Sequence, residues 1–374
     1  MHAIRIEEHG GPEVMRWTEL PDPDPGPGEV LVRLGVAGVN YMDVGARAQG
    51  GPGWAAPAVL GAEGMGYVTA LGAGVEEFAV GDRVAWFYHP GSYAELLAVP
   101  VESLVKVPDG IADETAAAVM LQGLTASHFS TETYAIGPGD TAVVHAAAGG
   151  VGLLLTQMIK ARGGKVIGLV SREEKVAVAE EAGADHVLVR SGRGFEERVR
   201  ELTGGRGADV VYDGGGSETF RSSQLALRPH GVHAYYGPFM GVPALRPTDL
   251  PNSILLTYPV VHHHVPTREA LVRRTGELFD LILDGKLTPR VGGRYALADA
   301  ARAHADIESR RTTGKLLLLP GPRWRVPPRR TSMGATAHTG RTGVVDPQGR
   351  RDQAAHHRGG RGGDPGPGSF LPAA

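Results

Sequence analysis

The chain has no cysteine among its 374 residues. Disulfides, thiolate metal centres and cysteine nucleophiles are therefore excluded. Aromatic residues are scarce, at 6%. No apolar run is long enough to cross a bilayer, and no charged-then-apolar leader opens the chain. The net charge is only −3, so no single-sign excess points to nucleic acid. These absences predict a cytoplasmic protein with neither a membrane nor a nucleic-acid partner. The length suits two domains.

The most informative stretch runs from Asp140 to Gly152, DTAVVHAAAGGVG. Residues 141–145 are a β-branched run that predicts a buried strand. A turn of small residues follows, then the helical pattern LLLTQMIKARG. The spacing Ala146-x-x-Gly149-x-x-Gly152 is a dinucleotide fingerprint with alanine in its first place. Small residues let the backbone approach a pyrophosphate, and the helix N-terminus offers it free N–H groups. The next strand, KVIGLV, ends in Ser171, Arg172, Glu173, Glu174 and Lys175. An acid placed directly there would hold a ribose 2′-hydroxyl; a cation attracts a 2′-phosphate. The pattern favours NADPH over NADH. EEAGADHVLV, ADVVYDGGGSETF and GVHAYYGP continue the alternation and predict a parallel, doubly wound α/β sheet. Ligands in such sheets lie beyond the carboxyl ends of the strands. That rule gathers residues 147–152, 171–175, 214–216 and 236–238, with Ala148, Gly214, Tyr236 and Gly237 among them.

Before residue 125 the chain reads as short, glycine-broken strands. Asn40-Tyr41-Met42-Asp43 follows one of them and suits either a site or an Asx turn with a core tyrosine. Glu63, in Gly61-Ala62-Glu63, suits a metal ligand or a partner for an arginine. Asp82-Arg83 after Gly81 suits a turn closed through a salt bridge rather than catalysis. ADETAAAVMLQGLTASHFSTE predicts a helix capped near Asp113, with Gln122 and Thr125 at the entry to the next domain. His262-His263-His264 is read as a surface or cofactor-facing loop, because adjacent histidines diverge and no carboxylate sits at ligand spacing. Two further helices and a last strand, KLLLLP, follow; Arg310-Arg311 suits a helix end or a phosphate. Residues 321–374 hold 11 Gly, 7 Pro and 9 Arg with no Glu or Lys. Such a composition cannot offset its ordering entropy, and a disordered tail is expected.

HGGPEV, GVNYMDVGAR, LGAEGMG, VGDRV, LQGLTA, HAAAGGVG, ADVVYDGGG and AHADIESRRTTGKLLLLP follow one another in an order that resembles the medium-chain dehydrogenase/reductase superfamily. Within it, the chain is similar to the zinc-independent NADPH:quinone oxidoreductases. The resemblance implies a GroES-like β-rich catalytic domain (residues 1–124 and 267–320), a Rossmann NADP-binding domain (125–266) and homodimers. Zinc-dependent relatives carry Gly-His-Glu where this chain has Gly61-Ala62-Glu63, so no metal site is expected. By position, Asn40 and Asp43 fall at the substrate and nicotinamide pocket, and Gln122 and Thr125 on the nicotinamide side. Gly149, Gly150 and Val151 match the pyrophosphate loop. Lys175, Arg190 and Arg310 fall where the resemblance places the adenosine 2′-phosphate, next to Ser171 and Arg172 of the strand end. The implied reaction is hydride transfer from NADPH to a quinone or related electron-poor carbonyl, with Asn40 or Tyr41 hydrogen-bonding the acceptor oxygen. The alternatives are an enoyl or alkenal reductase and, from another class, an NADPH-binding structural or RNA-associated protein.

Overall fold

The structure, a computed structural model, describes residues 1–51, 53–190, 194–237, 241 and 244–321. The expected disordered tail, from residue 322 onward, and Pro238 lie outside the described residues.

Strands β1 (His2–Ile6) and β2 (Arg16–Glu19) pair antiparallel around the Gly-Gly-Pro turn, with β4 (Ala58–Val59) on the other side of β1. The long strand β3 (Glu29–Val39) is the centre of the first large sheet. It pairs antiparallel with β5 (Gly64–Leu71) and with β7 (Leu96–Pro100); β5 then pairs β6 (Arg83–Trp86), and β6 pairs β8 (Leu104–Lys106). Helix α1 (Tyr41–Gln49) starts where β3 stops.

Helix α2 (Asp113–His128), extended by one π turn over Phe129–Thr133, leads from this sheet to the next. Its alanines and leucines are buried on nearly every side. Met120, Leu121 and Leu124 share one apolar core with Met65 and Ala85 of the first sheet and Val144 and Leu155 beyond. At about 1.5–3 kcal/mol per buried large aliphatic side chain, this shared core ties the two sheets together. Asp113 does not cap the helix. Ala112 is the N-cap, and the Asp113 carboxylate instead accepts from Arg83 Nη2 at 2.6 Å and from Tyr67 Oη. A guanidinium outcompetes backbone amides for a carboxylate within reach. The salt bridge at the Asp82 turn is made with Lys106: Asp82 accepts from Ala79 N at 3.0 Å and pairs with Lys106 at 2.9 Å.

The second sheet is parallel throughout and has six strands: β9 (Thr141–Val144), β10 (Lys165–Val170), β11 (His186–Val189), β12 (Ala208–Asp213), β13 (Leu227–Tyr235) and β14 (Leu255–Thr257). Their spatial order, β11-β10-β9-β12-β13-β14, is the doubly wound order of dinucleotide-binding folds. Helices α3 (Gly150–Ala161), α4 (Val176–Glu181), α5 (Phe195–Leu202) and α6 (Phe220–Leu225) make the crossovers.

Helix α7 (Arg268–Leu283) is capped by Thr267, whose hydroxyl accepts from Ala270 N at 3.2 Å, and the chain turns at Gly285 with φ 70°. Strand β15 (Val291–Ala296), helix α8 (Ala300–Glu308) and strand β16 (Lys315–Leu319) close the fold. β16 pairs parallel with β15 and antiparallel with β3, with Leu317 opposite Gly38. The end of the described chain thus completes the sheet begun near its start. No helix among the described residues is long and apolar enough to cross a membrane.

Candidate active site

The fingerprint turn links β9 to α3. Ala146 takes a positive φ of 48°, and Gly149 N donates to Ala146 O at 2.7 Å. A Cβ on Gly152 would overlap Ala146 O, so only glycine lets the helix seat so close to the strand. Gly149 is the N-cap and caps nothing with a side chain, and the first turn holds no acid. The amides of that turn, Gly150 and Val151 among them, are left for an anion. Ala148 O accepts from Gly314 N at 2.9 Å, which brings the residue before β16 to the same turn.

Gln122, from the middle of α2, lies over this turn: a Cβ on Gly150 would overlap its amide oxygen. Its Nε2 donates to Asn40 Oδ1 at 3.1 Å. Asn40 Oδ1 also accepts from Lys315 Nζ at 2.8 Å, while Asn40 Nδ2 donates to Glu63 Oε1 at 2.6 Å. Lys315 Nζ pairs with the same Glu63 oxygen, and Glu63 Oε2 accepts from Leu121 N at 2.6 Å. Glu63 and Lys315 are 0% and 1% exposed. A buried carboxylate and ammonium survive only when paired and hydrogen-bonded in this way. Asn40 is therefore held by three side chains, and Thr125 one turn along α2 donates to Leu121 O at 2.7 Å. Sequence reasoning left Glu63 unassigned and missed Lys315; their separation of 252 residues leaves no local signal.

Asp43 turns away from Asn40's partners. Its Oδ2 accepts from Asn40 N at 2.8 Å and from Tyr93 Oη at 3.1 Å. Tyr93 Oη lies 3.2 Å from His304 Nε2, and His304 Nδ1 lies 3.2 Å from Arg47 Nη1. Arg47 forks onto Glu308 at 2.9 and 3.0 Å. Burial, then the Arg47 charge, lowers His304 to about 3, so its ring is neutral. A neutral ring protonated at Nε2 accepts from Arg47 and donates toward Tyr93. Burial raises Asp43 to about 7, against the hydrogen bond from Asn40 N. Tyr41 is half-buried; burial raises its phenol and the nearby Arg310 lowers it.

At the end of β10, Ser171 and Arg172 are exposed and Glu173 and Glu174 point into solvent within a one-turn 3-10 helix. Lys175 Nζ donates to Thr312 O at 2.7 Å, and burial, then Arg172, lowers its pKa. Arg310 takes a left-handed φ of 55° in the turn after α8, whose last residue is Glu308, rather than ending the helix itself. Arg190 follows β11 and pairs with Glu218 at 3.2 Å. The end of β12 carries a polar hub. Asp213 accepts from Gly215 N, Thr219 Oγ1 and Ser223 Oγ at 2.7–2.8 Å. His145 Nδ1 and His233 Nε2 lie 3.1 and 3.2 Å from its oxygens. Burial pushes the carboxyl up, but these imidazoles and hydrogen bonds hold it well below the usual range. The hub fixes the Gly214 turn, and the Tyr236 ring sits where a Gly214 Cβ would stand. Gly237 packs on the Gly214 backbone with no room for a Cβ. Asn40 and Gln122 thus meet at the fingerprint turn, which the turn at Gly314 also reaches; Lys175 joins the chain just before it at Thr312. Asp43 faces a separate buried network.

Two family models match, the alcohol dehydrogenase GroES-like domain over residues 26–109 and the zinc-binding dehydrogenase over residues 150–270. A quinone oxidoreductase of Pseudomonas aeruginosa is 41% identical over 322 residues, 85% of this chain and 99% of that protein. The crystal structure of Escherichia coli quinone oxidoreductase complexed with NADPH aligns with a TM-score of 0.83 at 36% identity, covering 86% of this chain and all of that one. The chain belongs to the quinone oxidoreductase branch of the medium-chain dehydrogenase/reductases. A 2-haloacrylate reductase of a Burkholderia species is also similar, 37% identical over 332 residues, 85% of this chain and 98% of that protein.

Although one of the family models takes its name from zinc, the residues of this quinone oxidoreductase relative do not fit a zinc ion beside Glu63. Ala62, in the position before the glutamate, has no donor atom and is 0% exposed. The chain has no thiolate, and Lys315 occupies the Glu63 oxygen that a metal would take.

Proposed function

We propose that the chain is a zinc-independent reductase that transfers a hydride from NADPH to a quinone or related electron-poor carbonyl. The observation that carries this reading is the uncapped, acid-free N-terminus of α3 beneath Gln122 and Gly314. It offers a pyrophosphate its amides and dipole, and glycines leave the space. Bound there, NADPH supplies the hydride from nicotinamide C4. Lys175, Arg172, Arg310 and Arg190, with no carboxylate directly after β10, suit a 2′-phosphate. Ala148, Gly149, Gly150 and Val151 hold the pyrophosphate; Gly214, Tyr236 and Gly237 line the sheet end; Ser171 faces the ribose. Gln122 and Thr125 orient the nicotinamide side.

Asn40 keeps one Nδ2 hydrogen beyond its bond to Glu63, and with Tyr41 it directs a donor at the acceptor oxygen as charge develops there. Glu63 and Lys315 act as positioning residues by fixing the Asn40 amide. Asp43 acts through Asn40 as well, by holding the start of α1.

In this reading residues 1–124 and 267–320 form the catalytic domain and 125–266 the cofactor domain. Leu255 on the edge strand β14 and the neighbouring Tyr258 are 63% and 57% exposed, which supports a homodimer built on that edge. The cytoplasm is the proposed location. The second reading, reduction of an activated carbon–carbon double bond, is favoured by the haloacrylate-reducing relative.

The test is oxidation of NADPH and NADH by a small 1,4-quinone, followed by nicotinamide absorbance, with and without a chelator. Chelator-insensitive turnover that prefers NADPH is expected. Turnover confined to an enone would move the assignment to the second reading, and failure to bind either nucleotide would remove both.

A further inference from the structure

Outside the fingerprint turn and the Asn40 cluster, three side chains converge. His128 ends α2, Glu132 lies in the π turn that extends it, and His264 follows the one-turn helix Val261–His263 that leads to α7. One ligand atom from each lies within 4.8 Å of the others. His264 Nδ1 is 2.9 Å and His128 Nδ1 3.4 Å from the same oxygen, Glu132 Oε2. Ligands of a tetrahedral zinc lie about 3.3–3.5 Å apart at ordinary bond lengths. The sequence could not indicate this arrangement. Only one of the three adjacent histidines takes part, and its carboxylate comes from a different element.

A second observation points the same way. His128 Nδ1 and His264 Nδ1 are buried atoms that make no well-aligned hydrogen bond although each faces Glu132 Oε2, on side chains that are 9% and 0% exposed. Two buried imidazole nitrogens that converge on one carboxylate oxygen without aligned hydrogen bonds call for an explanation. The other nitrogen of His264, Nε2, lies 3.2 Å from Ser127 Oγ. A bond donated from Nε2 to that hydroxyl leaves Nδ1 with a free lone pair, the outer support that metal-binding histidines use. Arg274 Nη2 holds the remaining carboxylate oxygen, Glu132 Oε1, at 2.5 Å and shares its charge with Glu277 at 3.3 Å. That contact aims Oε2 at the histidines. Glu132 is 41% exposed, which gives an ion an entry path and water a place to complete the coordination.

We propose that His128, Glu132 and His264 form a binding site for one zinc-type divalent cation, a structural clamp between the end of α2 and the segment before α7. Two imidazoles and one carboxylate suit Zn²⁺ or Co²⁺ rather than Ca²⁺ or Mg²⁺. The site shares no residue with the Asn40–Glu63–Lys315 cluster, so it does not depend on the proposed reaction.

Titration of the full chain with Co²⁺, followed by visible absorbance, tests the site. One tetrahedral Co²⁺ per chain, displaced by Zn²⁺, is expected. Both His264→Ala and Glu132→Gln should weaken it by at least about 100-fold. Circular dichroism checks that His264→Ala folds; Glu132→Gln, isosteric and partly exposed, keeps the test valid where it does not. No absorbance in the wild-type protein would overturn the proposal. So would a signal of equal affinity in the variants, which would put the ion on histidines elsewhere.

Discussion

Lys315 and Glu63 show how a single residue pair sets the interior of this protein. Neither reaches water, and each satisfies the other and Asn40. Removing one partner leaves an uncompensated buried charge, so Lys315→Met should cost about 3–5 kcal/mol of folding stability. Urea denaturation measures this, and a loss under about 1 kcal/mol would mean that water reaches Glu63. The double variant with Glu63→Gln should recover part of the loss. Asp43 makes a different claim, about pH. Burial raises its folded pKa to about 7 from an ordinary 3.8. The folded chain then keeps a proton that the unfolded chain has lost. This group's contribution is whole below about pH 4 and is lost as pH rises through about 7. His304, lowered from 6.5 to about 3, has the opposite slope and gains its contribution as pH rises between those values. Asp43→Asn removes only the first. Its stability relative to wild type should therefore rise between pH 4 and 7, by up to about 4 kcal/mol. A difference that stays flat with pH would show that Asp43 is ionised throughout.

Among elements, the carboxyl ends of β10 and β11 carry the proposed preference for NADPH. Among the described residues, the Arg190 side chain pairs with the exposed Glu218, a pair that a phosphate can displace at little cost. Arg190→Ala should raise the KM for NADPH by about 10–100-fold, the range of a charge-assisted hydrogen bond, and leave NADH nearly unchanged. Steady-state kinetics with both cofactors decide it; equal losses would take Arg190 out of the phosphate site. These elements were legible in advance because their signals are local. The fingerprint turn, its flanking strand and helix, and the doubly wound order all follow from period and punctuation. Strands β7, β8, β14 and β15 were not marked, since LLAVP ends on a proline, VGGRYA is thinned by two glycines, and LVK and LLT are too short to show alternation. The partners of Asp113 and Asp82 were not legible for another reason. Each has a cation within reach, Arg83 or Lys106, that only the folded chain supplies. Lys315 and Gly314 reach the site by strand pairing across almost the whole chain, which no window of sequence contains.

For the molecule as a whole, β16 is the last element among the described residues, and it completes the first sheet. The site as described needs nothing beyond it. Truncation after Gly321 should therefore leave quinone turnover and the melting temperature of the remaining chain unchanged. A parallel assay and thermal melt compare the two forms; a large fall in either would give residues 322–374 a role. Truncation a few residues earlier is a different matter. Asn40 and Glu63 are made early, and their cation stands 275 and 252 positions later. While the ribosome is still adding those positions, the first sheet lacks a strand and Glu63 lacks its counter-charge. The parallel sheet β9–β14 is complete in sequence before Lys315 is added, but the Asn40–Glu63–Lys315 cluster cannot close until translation is nearly done. A prematurely terminated product is left with a solvated acid where the finished protein has a sealed one, a difference that cellular quality control can read as exposed, unpaired core.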